Sequence, residues 1–118
     1  MNLTTLKASQ KRKWYEEALT YANKVQGGTV RIVHGKLRKP NGSAINHAWV
    51  KIVTQDGINI VWDPQKRDFF RAIVYAKRAK EITAEYSLEE ARILASQTGN
   101  AGPWNTKQRK KFLQRPKG

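Results

Sequence analysis

A chain of 118 residues with no cysteine, 23 Lys+Arg and 9 Asp+Glu is enough for one domain that buries roughly two-thirds of its unfolded surface. The missing cysteines exclude a disulfide, a thiol nucleophile and a cysteine-ligated zinc, and two histidines, His34 and His47, are too few to predict a structural metal centre. A formal net charge of +14 points to a polyanionic partner: nucleic acid (DNA or RNA) first, an acidic protein second.

The opening residues, MNLTTLKASQKRKWYEE, lack an apolar core of about 7–15 residues, and no apolar run approaches the roughly 18 needed to span a bilayer. A cytoplasmic protein without membrane contact is the expectation. The spacing predicts a helix over 9–26, with Ser9 as N-cap. Trp14, Ala18, Ala22 and Val25 fall on one face, widened by Leu19 and Tyr21. Gly27 and Gly28 end it.

TVRIVHGKL, residues 29–37, is β-branched enough to predict a strand, and RKPNGSA makes the following loop. SAINHAWVKIVTQDGINIVWDP, residues 43–64, reads as a hairpin. Its apolar runs flank Gln55-Asp56-Gly57, a three-residue loop with Gly in the left-handed position. That register sets Val50 opposite Trp62 and Ile52 opposite Ile60. One face is then almost wholly apolar, and the other carries His47, Trp49 and Asp63. Shifting the loop by one residue would place His47 and Asp63 on opposite faces.

Residues 66–81 have helical spacing at Phe69, Phe70, Ile73, Val74 and Lys77, with strand as the competing reading. Residues 81–86 alternate like a short strand. SLEEARILASQTG predicts a helix with a Ser87/Glu90 capping box and Gly99 as C-cap. NAGPW turns the chain, with a Trp placed to fold back. The fold class expected is α+β: an N-terminal helix on a small antiparallel sheet, two further helices, and a basic C-terminal tail. Residues 1–104 form the single domain, and 105–118 a flexible basic tail.

The HAWV strand, the Gly turn and the second strand ending WDP, after a helix opening KWYEE, resemble the His and Asp strands of papain-like and transglutaminase-like thiol enzymes. The likeness extends to small bacterial and phage proteins with HAW and DP motifs, and covers roughly residues 10–104. It implies His47 as base and Asp63 as the residue orienting it. The nucleophile's place falls near Trp14, and indole is no nucleophile. Covalent catalysis needs an activated nucleophile within reach of its base, so the resemblance implies a degenerate, cysteine-less relative.

The remaining constellations are basic. Lys11, Arg12 and Lys13 open the first helix, Lys36, Arg38 and Lys39 close the first strand, and Lys107, Arg109, Lys110 and Lys111 occupy the tail. Cations so placed neutralise phosphates without reading sequence, and Trp104 and Phe112 add rings on which bases stack. No phosphate-binding Gly loop, helix-turn-helix, zinc finger or RNP motif is present, and no cofactor is expected. The leading expectation is a non-catalytic nucleic-acid-binding protein, in a phage or mobile-element setting. A hydrolase or transferase using His47 and Asp63 is the first alternative. A small inhibitor docking on a host protein is the second.

Overall fold

A computed structural model of the chain describes residues 8–113, with side chains from Arg12 onward. Helix α1 (Ala8–Lys24) is followed by strands β1 (Thr29–Arg38), β2 (Ala44–Val53), β3 (Asn59–Asp63) and β4 (Asp68–Arg71). A short helix α2 (Ala72–Ala76) leads to β5 (Ala79–Ser87), and helices α3 (Leu88–Thr98) and α4 (Thr106–Leu113) complete the order. The five strands form one antiparallel sheet in the order β4-β3-β2-β1-β5. The class is α+β, as the sequence indicates.

Strand period decides which side chains face which layer. On one side Ile32, Ala48, Val50, Ile52 and Trp62 meet Tyr15, Ala18 and Ala22 of α1, with Ala91, Leu94 and Trp104 closing the cluster. Ala18 and Ala22 are fully buried; their small side chains let the helix axis approach the sheet. On the other side Val33, Leu37, Trp49, Val61 and Tyr75 form a second cluster. That side is only partly roofed, by α2. Ile73 and Ile82 stay 74% and 59% exposed around a groove of about 590 Å³.

The β2–β3 hairpin has the predicted register: Val50 faces Trp62, Ile52 faces Ile60, and the Thr54 amide donates to the Ile58 carbonyl. Gly57 adopts φ +86°, the left-handed position this loop needs. The predicted capping box also forms, with the Glu90 amide donating to Ser87 Oγ and the Ser87 amide donating to the Glu90 carboxylate. Ser9 lies inside α1 and not at its cap; the residues before Ala8 lie outside the described range.

Two expectations need correction. Residues 66–81 are not one helix: Asp68–Arg71 pair with β3, helix persists only over Ala72–Ala76, and β5 begins at Ala79. Phe69 and Phe70 find cross-strand partners in Trp62 and Val61, and that pairing outweighs the helical spacing. The flexible-tail expectation for 105–118 fails over Thr106–Leu113, which is α4, packed through Phe112 and Leu113 onto the first core cluster. Residues 114–118 lie outside the described range.

Strand β5 pairs with β1 irregularly, its register shifting between His34 and Gly35 and again between Lys36 and Leu37. Gly35 sits at the first shift. A Cβ there would lie 2.2 Å from the Glu81 carbonyl oxygen and 2.9 Å from Trp49 Cη2. Only a residue without a side chain lets the bulged strand and the indole approach so closely.

Candidate functional site

His47 and Asp63 do come together. Asp63 ends β3, and His47 lies on the part of β2 that runs beyond the paired stretch Val50–Val53. His47 Nε2 lies 3.2 Å from Asp63 Oδ1, and the two residues are 0% and 1% exposed. The carboxylate is otherwise fully engaged. Oδ1 accepts from the Gln65 amide at 2.7 Å and the Lys66 amide at 3.0 Å, and Oδ2 accepts from the Tyr75 hydroxyl. Asp63 thus braces the 63–67 turn and ties β3 to α2. Burial pushes its acidity toward the neutral form. Hydrogen bonds from His47 and Tyr75, the imidazole's charge and the Lys66 amide overcome that and hold the pKa at about 2. Burial and the Asp63 carboxylate together push the Tyr75 phenol well above its ordinary range.

An ionised Asp63 can only accept, so Nε2 carries the shared proton. Nδ1 is buried with no partner. Trp14, itself 8% exposed, lies against the imidazole with ring centroids 4.6 Å apart and planes at 85°. It occupies the side where the resemblance to thiol enzymes places a nucleophile. Neither His47 nor Asp63 lines any of the five main cavities among the described residues. Chemically this is a sealed hydrogen-bond network in which the carboxylate is saturated and His47 Nδ1 is unpartnered. Tyr75 escaped the sequence reading because its role depends on α2 folding back over β3.

A second constellation surrounds His34. This imidazole, 3% exposed, packs against Tyr15 at 4.7 Å, Tyr86 at 5.2 Å and Trp104 at 5.4 Å between centroids. Burial, with the Arg109 guanidinium nearby, lowers its pKa to about 3, so the ring is neutral at ordinary pH. Its Nε2 is buried without a partner. A recess of about 190 Å³ opens beside it, lined by Tyr15, His34, Lys36, Asn46, Trp104 and Arg109 among others.

This recess gathers segments far apart in the chain. From α1 it takes Tyr15; Arg12, one helical turn earlier, does not line it. Lys36 lines the recess, and Arg38 follows two residues on along the same strand face. Arg109 lines it from α4, with Lys107, Lys110 and Lys111 exposed on that helix. Arg109 donates to Thr106 Oγ1 at 3.0 Å and the Tyr86 hydroxyl at 3.4 Å. No described carboxylate pairs with it. Lys36 lies 3.7 Å from Glu81, an exposed pair of little energetic weight.

Lys13 does not join this group. It pairs with Glu17 at 3.9 Å and lines a shallow cavity on the other flank of α1 with Arg67 and Trp62. Lys39 sits in the loop after β1, bonded backbone to backbone with Ser43. The Lys11 side chain lies outside the described residues. No cluster of three potential metal ligands, and no helix long and apolar enough to cross a membrane, occurs among the described residues.

Comparison with protein-family models, with characterised proteins and with solved structures finds no match for this chain.

Proposed function

We propose that the protein is a non-catalytic nucleic-acid-binding domain that contacts the phosphate backbone through cations from α1, β1 and α4. One observation carries the reading: Lys36 of β1 and Arg109 of α4, distant in sequence, line a single recess, and α4 presents Lys107, Lys110 and Lys111 exposed beside it. Glu81 faces Lys36, but no described carboxylate pairs with Arg109 and α4 contains no acidic residue. Positive charge concentrated on α4 without a described counter-charge favours a polyanion through counterion release. The sequence carries no helix-turn-helix, zinc-finger or RNP motif, which favours binding with little sequence preference.

The catalytic alternative draws less support. A general base must reach its substrate. His47 and Asp63 are shut away beneath Trp14, and every oxygen of Asp63 is already occupied. On this reading the likeness to papain-like and transglutaminase-like enzymes is one of frame, with the imidazole–carboxylate pair serving as a brace.

Binding of a fluorescent oligonucleotide, followed by anisotropy across a salt series, tests the proposal. The expected result is measurable affinity at about 50 mM salt and a linear fall of log K with log salt, the slope losing about 0.7–0.9 for each phosphate contact removed. Replacing Lys107, Lys110 and Lys111 together by Glu should abolish binding, and the same replacement at Lys24, away from the recess, should not. No affinity at low salt sinks the reading.

A further inference from the structure

We propose that the recess beside His34 receives one unpaired nucleobase, with Arg109 and Lys36 at its rim holding the strand's flanking phosphates. The inference rests on the nucleic-acid reading above and specifies its ligand as single-stranded.

Size is the first argument. Pockets that engulf a whole small molecule run to roughly 300–1,000 Å³. At about 190 Å³ this recess holds one compact group of a larger ligand whose remainder lies outside. A nucleotide strand running over a basic surface is such a ligand.

The lining is the second. A phosphate-only site would be walled by donors alone, whereas Tyr15, Tyr86 and Trp104, each at most 4% exposed, line this one together with Lys36, Asn46 and Arg109. Trp104 is held rigidly, its indole Nε1 donating to Thr98 Oγ1 at 3.1 Å and the Asn100 carbonyl at 3.3 Å. Aromatic walls with a few polar groups are what an unstacked base requires. Asn46 supplies an amide that both donates and accepts, suited to a base edge. His34 forms part of the floor and has a nitrogen without a partner in the protein, a deficit that a polar ring edge can offset.

Electrostatics is the third. His34 is neutral, so the floor suits an uncharged ring. The cations stand at the rim, where the backbone of an inserted nucleotide would lie. A base within an intact duplex cannot enter without leaving its stack, which costs a few kcal/mol, so single strands are the preferred form.

The test compares three probes of equal length at equal salt: oligo-dT, a single strand of abasic sugar-phosphate units, and a duplex. Charge-driven contact treats the two single strands alike. The base pocket predicts that oligo-dT binds about 5- to 100-fold tighter than the abasic strand and quenches tryptophan fluorescence where the abasic strand does not. Asn46→Phe, at an exposed position on β2, fills the mouth with a residue strands accept. It should erase the difference between the two strands. Equal affinities in the unmodified protein overturn the inference while the polyanion reading stands; binding of none of the probes overturns both.

Discussion

Trp14 and His47 meet edge to face, 4.6 Å between ring centroids, and this contact joins α1 to the stretch of β2 that pairs with β1 but not with β3. It also leaves His47 Nδ1 sealed with no hydrogen-bond partner, a loss of about 1–3 kcal/mol that the surrounding packing must exceed. Trp14→Ala should therefore destabilise the fold by about 3–5 kcal/mol, read from urea unfolding. It should also open His47 to modification by diethyl pyrocarbonate, detected by mass spectrometry. A stable variant whose His47 stays unreactive would contradict the assignment of Trp14 as the cover.

Asp63 and Tyr75 form the second tie. Tyr75→Phe leaves one carboxylate oxygen without its donor and should cost about 1–3 kcal/mol. Asp63→Ala removes the acceptor for all four donors and should cost more, about 3–5 kcal/mol. Because the two residues share a bond, the double variant should be less destabilised than the sum of the single ones. Strict additivity in chemical denaturation would show that they act separately.

Acid should weaken the protein in two stages. His34 has a folded-state pKa of about 3 against an ordinary 6.5. Between those values the unfolded chain takes up a proton that the folded chain refuses. Its contribution is complete above pH 6.5 and is lost as the pH falls toward 3. Asp63, at about 2 against 3.8, contributes fully above its unfolded value and loses that contribution as the pH falls through 3.8 toward 2. Unfolding free energy measured from pH 7.5 downward should decline first across the histidine range and then again below about pH 4. His34→Leu should flatten the first limb and leave the second. An unchanged first limb would remove His34 as its source.

Gly35 should tolerate no side chain. A Cβ would meet the Glu81 carbonyl oxygen at 2.2 Å, backbone that moves only by breaking the β1–β5 pairing. Gly35→Ala should cost about 1–3 kcal/mol, with the greatest loss of amide protection in hydrogen exchange along β5. Protection unchanged in β5 would mean the bulge can relax.

What the sequence revealed divides along local and distant physics. The α1 stripe, the Gln55-Asp56-Gly57 loop and the Ser87/Glu90 box each rest on residues within a few positions of one another, and each appears as read. The hairpin register alone was enough to set His47 and Asp63 on one face. Residues 66–81 were misread because their spacing fits a helix while their strand partners lie on β3. Tyr75 and Tyr15 acquire their roles only when α2 folds over β3 and α1 lies across β1. The basic clusters were visible as composition. That Arg109, Lys36 and Tyr15 share one rim follows from α4 docking on α3, which no local pattern encodes.

The two outermost strands have a consequence for solution behaviour. At one border of the sheet β4 spans Asp68–Arg71 alone, and at the other β5 is twice dislocated against β1. Neither offers a long straight row of amides for a neighbour to zip onto. Together with strong mutual repulsion between copies, this geometry should keep the protein dispersed at concentrations where an even-edged sheet of the same size would stack into aggregates.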